Sequence, residues 1–172
     1  MWVSPDGTRL LAVRGNMGVE AYDTETGKLL KRLEAHNMGP IYVTFSRDSD
    51  RLFTCGGDGR TVMWDMHTLK KLREFRGNAL KGATCADLSP DGRRVVTASQ
   101  SGWWQLWDAN TGTRLLNVEA STQPLSSVVF CADGTRILTA GSDNQVRVWT
   151  ASDQNPTVLV PIDRSWLTGV HG

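Results

Sequence analysis

Leu52-Phe53-Thr54-Cys55-Gly56-Gly57-Asp58-Gly59-Arg60-Thr61-Val62-Met63-Trp64-Asp65 is the stretch whose reading decides the fold. An apolar run, a glycine-rich Asp-Gly turn and an alternating run follow one another, which is the pattern of a β-hairpin. Upstream stands His36. An indole N–H only donates, a carboxylate only accepts, and hydroxyl and imidazole do both. A relay from Trp64 to Thr54 to His36 to Asp58 therefore leaves every member satisfied. Such a relay is buried at little cost and locks the hairpin to the loop before it.

Outward from this stretch, the chain repeats. Tyr22-Asp23, Trp64-Asp65, Trp107-Asp108 and Trp149-Thr150 place their aromatic anchors 42, 43 and 42 residues apart. Ahead of each anchor comes a turn, Ser4-Pro5-Asp6-Gly7, Ser46-Arg47-Asp48-Ser49, Ser89-Pro90-Asp91-Gly92 or Cys131-Ala132-Asp133-Gly134. An apolar run follows each turn, and Thr24-Glu25-Thr26-Gly27 and Ala109-Asn110-Thr111-Gly112 read as turns into one more strand. Each period holds four short strands and no helical pattern, and a period of ~40–45 residues is that of a four-stranded propeller blade.

With Trp64-Asp65 as the dipeptide, Ala35-His36 where Gly-His is usual, and His36, Thr54, Asp58 and Trp64 as a structural tetrad, the chain resembles the WD-repeat (tryptophan-aspartate) β-propeller family. The resemblance implies an all-β fold of four four-stranded antiparallel blades. They fall at about 1–35, 36–77, 78–120 and 121–162, with a tail at 163–172 where a fifth blade would start. Four blades of usual geometry make an open arc or part of a larger ring of about seven blades. A closed four-bladed ring is the alternative, and it needs each blade to turn further about the axis. The second blade carries the whole tetrad. The fourth keeps Thr139, Asp143 and Trp149 with Ser121 for His; the third keeps Thr97 and Trp107 with Ser101 for Asp and Asn78-Ala79 near the His position; the first has Ala12, Asn16 and Tyr22.

Composition is that of a soluble protein: 172 residues, 40% hydrophobic and 22% charged. No run approaches the ~20 apolar residues of a membrane span, and Met1-Trp2-Val3-Ser4-Pro5 does not read as a signal peptide. The expected compartment is the cytoplasm, with no membrane partner. A net charge of +1 with mixed signs gives no evident nucleic-acid footprint. Cys55, Cys85 and Cys131 are odd in number and far apart, which argues against a disulfide framework or a zinc site. No cofactor and no metal are expected.

Thr54, His36 and Asp58 supply the parts of a nucleophilic triad, but a catalytic hydroxyl must face a cleft, whereas Thr54 is engaged by Trp64. No catalytic residue is expected, and no other catalytic motif occurs. His67 and His171 read as lone exposed histidines. Asp6, Asp48, Asp91 and Asp133 each precede Arg9, Arg51, Arg94 and Arg136 by three residues. Each Arg is expected to pair loosely with its own turn Asp, the alternative being a basic rim that captures acidic partners.

Trp103 and Trp104 point to opposite faces of a strand. Trp104 aligns with Val62 and Val146 as an inward residue, and Trp103 with Arg60 and Gln145 as the exposed anchor of a binding face; packing against the neighbouring blade is the alternative for Trp103. Asn16, Met17, Arg60, Gln100, Trp103 and Asn144 are expected along one rim, joined by Met38 in the loop His36-Asn37-Met38-Gly39-Pro40. The functional expectation is a non-catalytic scaffold that binds a protein or peptide through this loop face. The alternatives are the propeller domain of an enzyme with a channel-mouth site, or a purely structural half-ring completed by the rest of its own propeller or by a second copy.

Overall fold

The computed structural model describes residues 1–15, 18–77, 82–151 and 158–162, with 40–41 and 158–162 described by backbone alone. The strands are β1 Trp2–Val3, β2 Arg9–Val13, β3 Val19–Asp23, β4 Leu29–Leu33, β5 Pro40–Phe45, β6 Arg51–Gly56, β7 Arg60–Asp65 and β8 Lys71–Arg76. They continue with β9 Ala83–Leu88, β10 Arg94–Ser99, β11 Trp103–Asp108, β12 Arg114–Glu119, β13 Leu125–Phe130, β14 Arg136–Gly141, β15 Val146–Thr150 and β16 Val158–Ile162. No helix occurs among the described residues. Each consecutive set of four strands forms one antiparallel sheet in chain order, as short turns between neighbouring strands dictate. The first sheet begins weakly, since β1 has two residues where β5, β9 and β13 each have six.

Strand alternation explains where the cores lie. Leu52 pairs with Trp64 and Phe53 with Met63, so Leu52 and Trp64 face one way and Phe53 and Met63 the other. Both faces are buried, which is why β6 reads as a continuous apolar run. Among the described residues three apolar cores result, each between two blades. Leu11, Ala21 and Leu33 meet Leu52, Val62 and Trp64; Phe53, Met63 and Phe75 meet Leu88, Val95 and Trp107; Val96, Trp104 and Leu106 meet Phe130, Ile137 and Trp149. The anchors Trp64, Trp107 and Trp149 thus face the blade before their own. The four described blades do not close into a ring. Val129 is 42% exposed, and Leu138, Ala140, Val146 and Val148 on the same face are half-buried.

Polar ties also fasten the blades to one another. The Lys31 ammonium donates to the Leu69 carbonyl at 2.8 Å, and Arg73 donates to the Asn110 carbonyl. Arg94 donates to the Gly134 carbonyl at 2.9 Å and to the Ala151 carbonyl. Arg47 of the second blade reaches the Phe130 carbonyl at 2.7 Å, while the Phe130 N–H donates to Asp87 at 2.8 Å. Burial pushes the Asp87 carboxyl above the usual carboxylate range.

Two expectations are corrected. The turn carboxylates Asp6, Asp48 and Asp91 are held by the hydroxyls of Ser4, Ser46 and Ser89. Antiparallel register instead sets Arg9 opposite Asp23 and Arg51 opposite Asp65, and these pair at 3.4 and 3.9 Å. Arg136 stands opposite Thr150, which offers no carboxylate, and does pair with its own Asp133 at 3.3 Å. The counterpart of Trp104 in the second blade is Thr61, not Val62: Trp104 sits opposite Ala98 as Thr61 sits opposite Cys55.

Each outer strand carries a bulge at one place. Tyr22 pairs with Leu29 and Ala21 with Lys31, leaving Leu30 unpaired, and the same register shift isolates Leu72, Leu115 and Leu159. A bulge bends an edge strand and spoils it as a template for another chain.

Trp104 is fully buried against Trp149, ring centroids 5.4 Å apart, yet its indole N–H has no partner among the described residues. Trp107, equally enclosed, donates to Thr97 at 2.9 Å. Trp104→Phe removes an orphan donor, while Trp107→Phe deprives the Thr97 hydroxyl of the hydrogen bond it accepts. Urea unfolding is expected to show Trp107→Phe as the more destabilising by about 1–2 kcal/mol.

Candidate functional site

The second blade contains the relay. Trp64 Nε1 donates to Thr54 Oγ1 at 3.0 Å, Thr54 Oγ1 lies 2.9 Å from His36 Nε2, and His36 Nδ1 lies 3.2 Å from Asp58 Oδ1. Asp58 can only accept and Trp64 can only donate, which fixes the imidazole with its proton on Nδ1 and leaves Nε2 to accept from Thr54. β6 presents Thr54 and β7 presents Trp64 on one face because both strands alternate in register. Gly56 makes the room: a Cβ there would lie 2.2 Å from His36 Nδ1.

Electrostatics hold this group in one ionisation state. Burial pushes the Asp58 carboxyl up, but the Arg60 guanidinium, the N–H groups of Asn37 and Arg60, and His36 more than offset it and hold it at about 2. Burial lowers the His36 imidazole and outweighs the attraction of Asp58, with Arg60 pushing the same way. The arrangement is a neutral imidazole against a fixed carboxylate, with a threonine hydroxyl 1% exposed. That hydroxyl cannot meet a substrate.

The other blades keep the indole–hydroxyl bond and change what lies beyond it. In the fourth, Trp149 donates to Thr139 at 2.9 Å, and Ser121 bonds Asp143 where His36 would stand. Ser121 enters closely enough that a Cβ on Gly102 would lie 1.8 Å from its carbonyl oxygen. In the third, the Thr97 hydroxyl that receives Trp107 donates to Gln105 Oε1 at 3.4 Å, and Gln105 Nε2 donates to Asn117 at 3.0 Å. The relay there runs outward to β12. Gln105 and Asn117 escaped the sequence reading, although a glutamine aligned with Val62 in a buried strand was the available signal. In the first blade the Tyr22 hydroxyl donates to Glu20 at 2.6 Å, and Arg32 pairs with the same carboxylate at 3.0 Å.

A meander puts β6–β7, β10–β11 and β14–β15 turns at one end of the sheets, together with the loops that enter β5, β9 and β13. Backbone bonds tie these loops to one another: Gly57 N–H to Gly39, Gln100 N–H to Gly82 and Ser142 N–H to Pro124. On this face Met38 is 69% exposed, Gln100 and Asn144 are exposed, and Trp103 is half-buried. Asn144 holds a left-handed φ of 61°. Arg60 is not a free cation, since it pairs with Asp58 at 2.7 Å and with Glu74 at 3.4 Å. Asn16 and Met17 lie outside the described residues. Among the described residues, no group of three or more His, Cys, Asp or Glu gathers that could hold a metal.

A family model for the WD domain, G-beta repeat, matches residues 27–65, 69–108 and 112–150. The chain belongs to the WD-repeat family. Each matched WD repeat starts before an outer strand and ends on the next blade's aromatic-anchor strand, so the sequence unit and the sheet are offset by one strand. Among similar WD-repeat proteins, Protein groucho of Drosophila melanogaster is 30% identical over 86% of this chain and 20% of its own length. Cilia- and flagella-associated protein 52 of Bos taurus is 25% identical over 97% of this chain and 27% of its own. Autophagy-related protein 16 of Arabidopsis thaliana is 29% identical over 84% and 28%. The chain thus spans 20 to 28% of the length of these relatives. WD repeats generally serve protein–protein interaction.

Thr54→Val orphans the Trp64 N–H and the His36 nitrogen together, and a loss of about 2–4 kcal/mol in chemical unfolding is expected. The pH dependence has a fixed sign. The folded chain keeps His36 neutral below the value it would have unfolded, so stability is full above about 6.5 and falls as pH drops through that window. Asp58, depressed to about 2, adds a second loss as pH falls from the ordinary carboxylate range toward that value. Unfolding curves from pH 7.5 to 5 are expected to flatten in His36→Gln.

Proposed function

We propose that this chain is a non-catalytic scaffold that binds a protein or peptide on the face built by the β6–β7, β10–β11 and β14–β15 turns. One observation carries the reading: the groups that look reactive are enclosed and mutually bonded, while Met38, Gln100 and Asn144 on the turn face are exposed on a rigid frame. Trp103 is the central contact, half-buried beside the turn, and tryptophan is enriched among the anchors of interfaces. Arg60 contributes by holding Asp58 and Glu74 in place. A reducing compartment such as the cytoplasm suits three cysteines that are all free of disulfides. A protein partner rather than a nucleic acid suits the near-balanced charge.

A second reading has its own observation. The apolar outer face of the fourth blade, with Val129, Leu138 and Val148, matches the faces that elsewhere pack on a following blade. In that reading another blade of the same ring, or a second copy, covers it. Mass in solution distinguishes the two, because a monodisperse monomer that binds its partner unaided supports the first reading alone.

Trp103→Ala is expected to weaken capture of a partner about tenfold or more while leaving the unfolding midpoint near that of the wild type. Thr54→Val is expected to lower stability and leave binding intact at temperatures where it remains folded. Equal binding by wild type and Trp103→Ala in calorimetry would remove the turn face from consideration.

A further inference from the structure

The outer circumference carries a pattern that the loop face does not explain. Leu30, Leu72 and Leu115 occupy the bulges of β4, β8 and β12 and are 41%, 40% and 37% exposed. Close before each bulge stands a cation, Lys28, Lys70 or Arg114. All three are exposed, and no hydrogen bond or ion pair engages their side chains among the described residues. The wider belt is basic as well. Residues 28–34, 70–76 and 113–119 hold eight Lys or Arg against three Asp or Glu, although the whole chain carries only +1.

These cations differ from those of the regular Asp–Arg turns, where Arg9 and Arg51 are occupied by Asp23 and Asp65. Next to Leu72, between the second and third blades, a cavity of about 210 Å³ is lined in part by Met63, Leu88 and Ala109. Arg51, Arg73 and Asn110 also line it, so it offers a mixed polar and apolar seat beside Leu72. The bulge leucines with Lys28, Lys70 and Arg114 lie at the opposite end of the strands from the β6–β7 and β10–β11 turns, whereas Arg76 and Glu119 at the other end of the belt stand opposite Arg60 and Trp103.

We propose that the rim formed by β4, β8 and β12 is a second docking surface, and that it takes an acidic protein segment bearing apolar residues. Such a segment sets one apolar side chain against a bulge leucine and one carboxylate near the adjoining cation on successive blades. Charge complementarity selects the partner's sign, and the leucines supply the contact that survives salt. An anionic membrane would meet the same cations, and retention by vesicles is the outcome that separates it from a protein segment.

The test uses the full chain and a fluorescein-labelled peptide of four Glu-Glu-Leu-Ala repeats, with a Lys-Lys-Leu-Ala peptide and phosphatidylserine vesicles in parallel. Fluorescence anisotropy is expected to show saturable binding of the acidic peptide and none of the basic one. Leu30→Ser/Leu72→Ser/Leu115→Ser is expected to weaken binding about tenfold or more. Lys28→Glu/Lys70→Glu/Arg114→Glu is expected to abolish binding of the acidic peptide and create binding of the basic peptide. Circular dichroism reports whether both variants keep the fold, and the two act through different groups, so one misfolded protein leaves the other decisive. No saturable binding of the acidic peptide, undiminished binding by the charge-reversed variant, or retention by vesicles alone would overturn the proposal. Trp103→Ala is expected to leave this binding unchanged, so failure at the rim is separable from failure at the turn face.

Discussion

In three of the four blades the N–H of the anchor tryptophan, buried in an apolar seam, finds a threonine hydroxyl 2.9 to 3.0 Å away. That bond joins two neighbouring strands within a blade and fixes which way the indole lies. The indole then forms part of the face that the previous blade packs against. A single polar contact, repeated at a constant offset, therefore sets strand register and blade stacking together. Beyond the hydroxyl the structure tolerates change. His36 continues the chain to Asp58, Gln105 continues it to Asn117, and Ser121 meets Asp143 from a shorter reach.

The same constraint accounts for what the site cannot do. A hydroxyl, an imidazole and a carboxylate in hydrogen-bonded order are the components of acyl transfer, but chemistry needs the hydroxyl to approach a substrate. Here Thr54 is closed off by the blade in front of it. Arg60, which reads as an available rim cation in the sequence, is spent on Asp58 and Glu74. The charged groups near the relay are partners of one another, and recognition falls to residues without such obligations.

Much of the fold is legible in the sequence because its signals are local or strictly periodic. The anchors Tyr22, Trp64, Trp107 and Trp149 recur at nearly constant spacing, and polar residues such as Thr54 and Asp58 stand out against apolar runs. The relay of the second blade is readable for the same reason: each of its members has one chemical role to play. What escapes is set by pairing across strands. Arg9 and Arg51 turn to Asp23 and Asp65 because antiparallel register puts those carboxylates opposite, which spacing along one strand does not reveal. The counterpart of Trp104 is Thr61 by the same logic. Gln105 and Asn117 substitute for a histidine from a different part of the blade, so no search at the histidine position finds them. The bulge leucines were invisible for want of a register.

Because every apolar core is shared between two sheets, no blade owns one. A single blade cut from the chain would expose half of two seams and have nothing to bury them with, so the smallest cooperative unit is a neighbouring pair. The two middle blades are clamped from both sides. The protected amides of slow hydrogen exchange accordingly belong to β6, β7, β10 and β11.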